Sequence, residues 1–120
     1  MRKILLIDDA EFMRSLFKNY LTNIEDIAII EAGCGTDGIM MYRSETPDLV
    51  LLDITMGDIS GIEVLRDIKS FNPSAKVIIC SAMGQESFIA EAVELGAIDF
   101  LVKPVKSDLL VNAVNKALNS

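Results

Sequence analysis

The sequence predicts an α/β chain built on a doubly wound, five-stranded parallel sheet, and three observations predict it. Short apolar runs rich in branched residues recur at Lys3–Asp8, Asp26–Glu31, Leu49–Asp53, Lys76–Cys80 and Asp99–Val102. Stretches of helical spacing separate them, so strand and helix alternate from end to end. The runs are nearly continuous in apolar character, as strands covered on both faces require. Such alternation with short connections means parallel pairing through right-handed crossovers.

Each element has its own signal. The first run, Ile4 to Ile7, meets Asp8 and Asp9 at once. It is therefore a strand and not a secretory leader, whose apolar region spans about 7–15 residues. Met13, Leu16, Phe17, Tyr20 and Leu21 share one face of the first helix. Thr36 is a plausible N-cap for the second helix, which ends near Thr46-Pro47. Ser60 with Glu63 three residues on forms a capping box for the third, which stops before Asn72-Pro73. Gly96 suits the position just past the fourth helix. Leu110, Ala113, Val114, Ala117 and Leu118 form the apolar stripe of the last. Met13, Met40 and Met41 read as core or edge packing. Phe88, offset from the stripe of Ile89, Ala92 and Val93, reads as either buried or partly exposed for a partner.

Composition narrows the function. A chain of 120 residues suits one domain, 1–120, and 51% apolar residues supply a real core. The net charge of −7 with no basic run argues against binding nucleic acid. Cys34 and Cys80 form no C-x-x-C pair and read as reduced filler, with disulfide pairing as the lesser alternative. The absence of histidine removes the commonest metal ligand and general base. No stretch approaches the roughly 20 apolar residues of a membrane span, so a soluble, cytoplasmic protein is expected.

The residues that carry chemistry stand at strand ends. Ligands of doubly wound sheets bind outside the carboxyl ends of the strands, where the strand order reverses. Asp8 and Asp9 close the first strand and Asp53 the third; Ser81 follows the fourth and Lys103 the fifth. Singly, each has an ordinary explanation: a helix cap for Asp8-Asp9 or Ser81, a solvated carboxylate for Asp53, a surface lysine for Lys103. Those explanations do not account for their convergence on one edge of the sheet. Two unit charges 4 Å apart repel by about 4 kcal/mol at an effective dielectric of about 20. A hard divalent cation relieves this, and Mg²⁺ typically takes one or two carboxylates together with phosphate oxygens. The cation and Lys103 would neutralise an incoming phosphoryl group. A carboxylate is a suitable nucleophile for that group, and the Ser81 hydroxyl can donate a hydrogen bond to it.

The stretches "LLIDD", "DLVLLDITM…SG", "VIICSAMG" and "GAIDFLVKP" resemble, in order and spacing, the receiver domains of two-component response regulators. The resemblance covers essentially the whole chain. "CSAMGQ" and "DDAEFMR" look most like the stand-alone chemotaxis regulators of that family. The resemblance implies a flavodoxin-like (βα)5 fold with strand order 2-1-3-4-5, an order carried over from known members of the family. It implies Asp53 as phosphoacceptor, Asp9 as a direct Mg²⁺ ligand, Asp8 acting mostly through water, and the Thr55 carbonyl as a further ligand. Ser81 and Lys103 would contact the phosphoryl group, Phe100 would be the aromatic switch residue, and the bond before Pro104 would be cis. The implied partners are a histidine kinase, a downstream target such as the flagellar motor switch, and, as a further candidate, a phosphatase. The target would bind the face of Gln85–Leu95, Asp99–Val102 and Ser107–Leu118. A monomer is expected, and no enzyme beyond promotion of its own phosphorylation and dephosphorylation.

The chain departs from the family in "Met56-Gly57-Asp58", where proline usually follows the methionine. Glycine widens the conformational choice of that loop, while Asp58, a fourth carboxylate nearby, reads as merely solvated rather than as a metal contact. Two competing functions remain. A phosphatase of the haloacid-dehalogenase type would carry D-x-D on its first strand, whereas Asp8 and Asp9 are adjacent. A receiver-like module that is never phosphorylated would tend to lack one of the key residues, and all are present here.

Overall fold

The computed structural model describes residues 1–82 and 86–120. Ten elements alternate: β1 (Arg2–Ile7), α1 (Glu11–Tyr20), β2 (Ile27–Ala32), α2 (Gly35–Glu45), β3 (Leu49–Asp53), α3 (Gly61–Phe71), β4 (Val77–Ser81), α4 (Glu86–Glu94), β5 (Asp99–Val102) and α5 (Ser107–Leu118). All strand pairs are parallel and the order is β2-β1-β3-β4-β5. This is the flavodoxin-like arrangement that the resemblance implies. The strands start within one residue of the sequence reading; β4 begins one later and takes in Ser81 as its last residue.

The alternation of side chains along each strand builds two cores. Leu5, Ile7, Val50, Leu52, Val77 and Ile79 face α2, α3 and α4. Ile4, Leu6, Leu49, Leu51, Ile78 and Cys80 face α1 and α5. Both faces of the central strands are thus covered, which is why those strands read as unbroken apolar runs. No described helix is long and apolar enough to cross a membrane.

The helix ends explain where the chain turns. Ser60 Oγ accepts from Glu63 N at 3.2 Å and starts α3. Gly96, at φ 103°, ends α4 with paired bonds from Gly96 N to Val93 O and from Ala97 N to Ala92 O, each 3.0 Å. This double closure needs a left-handed residue, which glycine adopts without strain. At the far edge, Arg2 Nη1 donates to Leu118 O at 2.7 Å, and Lys76 Nζ donates to Ala117 O and Ser120 O at 2.9 Å. Two cations therefore meet the carbonyl end of α5, where the helix dipole favours positive charge.

Three local readings are corrected. Thr36 is not the N-cap of α2: Cys34 is, its Sγ accepting from Asp37 N at 3.5 Å. Gly35 then opens the helix in a place too close for a side chain, since a Cβ would fall 2.9 Å from Val64 Cγ2 and still closer to Ile59. Asp58 is not merely solvated. It accepts from Gly35 N at 2.9 Å, Thr36 N at 2.9 Å and Thr36 Oγ1 at 2.8 Å, capping α2 from another loop. Met40 is exposed, while Met13 and Met41 pack against the cores as read. Phe88 is exposed. Gln85, the start of the expected target-binding face, lies outside the described residues.

Candidate functional site: an acidic cluster at the switch point

The chain leaves β1 toward β2 on one side and pairs it with β3 on the other, so the order reverses between β1 and β3. Asp8 and Asp53 stand at the carboxyl ends of those two strands, where ligands of such sheets bind. They are buried, with 6% and 7% of their surface exposed, while Asp9 is exposed. Oxygens of Asp8, Asp9 and Asp53 all lie within 4.8 Å of one another. Together with Ala10, Thr55, Ala82 and Lys103 these residues line one open cleft.

The ammonium of Lys103, delivered by the turn after β5, lies 3.3 Å from Asp8 Oδ2 and 3.5 Å from Asp53 Oδ1. Burial alone would lower its pKa, but the facing charges of Asp53 and then Asp8 win, and it is held above its usual value. One ammonium does not balance its surroundings, however. Burial, against the pull of Lys103 and with the added repulsion of Asp8, pushes Asp53 up from 3.8 to about 6. Three carboxylates against one ammonium leave two negative charges in a partly desolvated cleft. That deficit matches a hard divalent cation with oxygen ligands.

Local geometry supports Asp8 and Asp53. Asp8 Oδ1 accepts from Ala10 N at 2.9 Å, and the N-cap position of α1 is Ala10, without a side-chain cap. The carboxylate of Asp9 is therefore not the cap of α1. Arg14 Nη1 donates to the Asp8 carbonyl at 2.6 Å while its Nε donates to Glu31 at 3.0 Å. Glu31 also accepts from Lys18 at 2.8 Å; that bond, with help from Arg14, holds it below the usual carboxylate range despite some burial. Arg14 thus ties the end of β1 to β2. The sequence reading missed it; the available signal was an arginine flanking the apolar stripe of α1, between Met13 and Phe17. Asp53 Oδ1 accepts from Thr55 N at 3.3 Å.

Ser81 is fully buried at the end of β4, and its Oγ has no hydrogen-bond partner among the described residues. A hydroxyl buried without a partner is costly by about 1–3 kcal/mol. Phe100 on β5 is exposed, and the Lys103–Pro104 peptide is cis.

The raised pKa of Asp53 has a consequence for stability. Between about pH 4 and pH 6 the folded chain keeps a proton that the unfolded chain has lost. Stability contributed by Asp53 is therefore full below its unfolded value and falls as pH rises through this window. At about 1.4 kcal/mol per pKa unit, the gain in stability from Asp53→Asn should grow by roughly 2 kcal/mol between about pH 4 and pH 7. Urea unfolding of both proteins across that range checks it; a gap that stays constant contradicts it.

With this geometry in hand, the likenesses to known proteins become informative. Residues 4–115 match the family described as "Response regulator receiver domain". The chain belongs to this family. It is 43% identical over 117 residues to the chemotaxis protein CheY of Bacillus subtilis (strain 168), covering 98% of each chain. It is 40% identical over 115 residues to the chemotaxis protein CheY of Thermotoga maritima, covering 96% of each. A solved response regulator receiver domain protein from Clostridium thermocellum has a TM-score of 0.92 at 32% identity, covering 99% of this chain and 95% of that one. Receiver domains are phosphoacceptor switches of two-component signalling that work with histidine kinases and downstream targets and bind Mg²⁺ at an acidic cluster. Among the described residues of this chain, the group compatible with such binding is Asp8, Asp9 and Asp53.

Proposed function

We propose that this receiver domain, spanning 1–120, takes a phosphoryl group onto Asp53 from a phosphohistidine of a partner kinase and signals by binding a target in trans. The observation that carries the reading is the placement of Asp53: a buried carboxylate at the switch point, 3.5 Å from an ammonium and beside two further carboxylates. A carboxylate oxygen of Asp53 attacks phosphorus, the phosphorus–nitrogen bond breaks, and the leaving imidazole takes up a proton. Lys103 stabilises the transferred charge. Ser81 Oγ, which finds no partner among the described residues, supplies a donor to a phosphoryl oxygen.

The charge deficit and all-oxygen donor set fit Mg²⁺, which would be held by Asp9 and Asp53, by the Thr55 carbonyl, and by Asp8 mostly through water. When bound, the cation neutralises charge on the phosphoryl oxygens. Asp9→Ala should weaken Mg²⁺ binding far more than Asp58→Ala, because Asp9 points into the cluster while Asp58 is committed to α2. Calorimetric titration of both variants checks this, and equal losses would mean the ligands are misplaced.

The output reading follows from the same residues. Drawing Ser81 toward a phosphoryl group leaves room between β4 and β5 for the exposed ring of Phe100 to turn inward. Phe100 lacks a hydroxyl, so packing alone sets its balance of states. The affected face is α4, β5 and α5, with Phe88, Val93, Ile98, Phe100 and Leu109 exposed on or beside it. Similarity to chemotaxis proteins in two organisms favours a role in chemotaxis or motility, with a flagellar motor component as target, a phosphatase as further partner, a cytoplasmic location and a monomeric state. Ser81→Ala should still accept phosphate but lose most of the gain in target affinity. Phosphorylation and target binding measured on one sample test that; enhancement equal to wild type breaks the proposed coupling.

The direct test of the function is incubation with acetyl phosphate and Mg²⁺. A gain in intact mass of one phosphoryl group supports the switch. No gain supports a binding module that is never phosphorylated.

A further inference from the structure

The loop from Ile54 to Ser60 carries Thr55 and joins the acceptor strand to α3. Its two ends are closed by a bond from Gly61 N to Ile54 O of 2.7 Å. Inside the loop, Met56 and Ile59 pack against the core under α2 to α4, whereas Thr55 and Gly57 are exposed. Gly57 is the weak point. It sits beside Asp9, whose Oδ2 would lie 4.0 Å from a Cβ there, and no side chain restricts its backbone.

The next residue supplies what Gly57 lacks. Both oxygens of Asp58 are used, Oδ1 by Gly35 N and Oδ2 by Thr36 N and Thr36 Oγ1, all at 2.8–2.9 Å. The Ile59 N–H faces the same carboxylate, and together these donors hold Asp58 far below the usual carboxylate range. Gly35 completes the fit, since a Cβ at that position would collide with Ile59 and would fall 2.9 Å from Val64 Cγ2. The loop is therefore docked on the first turn of α2 by a bidentate, charge-assisted contact and by a glycine that lets the backbones close.

We propose that Asp58 is a positioning residue for the cation site: by anchoring the loop to the N-terminus of α2, it holds the Thr55 segment in place beside Asp53. The inference rests on the magnesium reading above. Asp58 touches neither the cation nor the phosphoryl group; it acts by limiting the states open to residues 55–57. A carboxylate at this helix end is favoured by the dipole as well as by the three donors.

The test uses the full chain and two readouts, amide hydrogen exchange without metal and the Kd for Mg²⁺ by calorimetry. Asp58→Ala should speed exchange at Thr55, Met56 and Gly57 and raise the Kd about threefold to tenfold, below the 10–100-fold typical of groups that hold a ligand directly. Asp58→Asn, which keeps one acceptor oxygen, should fall between Asp58→Ala and wild type. Ser60→Ala removes a cap of α3 three residues from Gly57 and serves as the control for lost stability; it should leave the Kd unchanged. An unchanged Kd in Asp58→Ala, or an equal rise in Ser60→Ala, overturns the proposal. Absence of Mg²⁺ binding by wild type would instead strike the magnesium reading; unchanged exchange in Asp58→Ala would then overturn the anchor as well, and faster exchange would support it.

Discussion

Asp53→Asn should keep the fold and lose phosphoryl incorporation entirely. The substitution conserves shape and leaves an oxygen in place to accept from Thr55 N, which now bonds Asp53 Oδ1 at 3.3 Å. It removes the nucleophile, because an amide oxygen attacks phosphorus poorly. It also removes a buried charge that sits against Asp8, so the variant should be more stable than wild type at neutral pH. The combination is diagnostic: a protein that melts higher yet gains no mass from acetyl phosphate and Mg²⁺. A variant labelled at the wild-type level would refute the acceptor assignment, and one that lost label because it had unfolded would reveal itself in the melting curve.

Gly61→Ala should be the most destabilising small substitution near the site. Gly61 opens α3 where the helix crosses the end of β3, and a Cβ there would meet the Asp53 carbonyl and fall 2.5 Å from Ile54 Cα. These are backbone atoms, which cannot swing aside as a side chain can. Overpacking of this kind costs typically about 1–3 kcal/mol, and a backbone obstacle belongs at the upper end. The relief available is to push α3 away, which breaks the Gly61 N to Ile54 O bond and moves the acceptor strand. Phosphorylation should therefore slow as stability falls. Gly33→Ala is the contrast: its Cβ would lie 3.5 Å from Arg14 Nη1, an ordinary contact, so its urea midpoint should stay near wild type. Equal midpoints for Gly61→Ala and wild type would show that the helix can yield without cost.

These expectations draw on features that differ in how far the sequence exposes them. The sheet was legible because β1, β3 and β4 are covered on both faces and so appear as apolar runs such as Ile4–Ile7 and Leu49–Leu52. The convergence of Asp8, Asp53 and Lys103 was legible because parallel strands all end at one edge, so strand-end residues meet whatever the details of packing. Contacts between loops were not. Asp58 bonds residues 22 and 23 positions away, and nothing local distinguishes it from a solvated aspartate. Thr36 has the right chemistry for an N-cap, but the helix starts earlier because Gly35 allows α2 to press on Ile59. Met40 is as apolar as Met41, and only the rotation of α2 decides that the first is exposed and the second packed. The Ser81 hydroxyl, which has no partner among the described residues, was hidden likewise, because β4 runs one residue further than its apolar run and takes Ser81 in.

The central claim is that the phosphoryl group resides on Asp53, and one measurement bears on it without altering the protein. Wild type treated with acetyl phosphate and Mg²⁺ is reduced with borohydride, which converts an aspartyl phosphate to homoserine, and the chain is then mapped by peptide mass spectrometry. Homoserine is expected in place of Asp53 alone. Homoserine in place of Asp8, Asp9 or Asp58, or at no aspartate of a chain that has gained the phosphoryl mass, would contradict it.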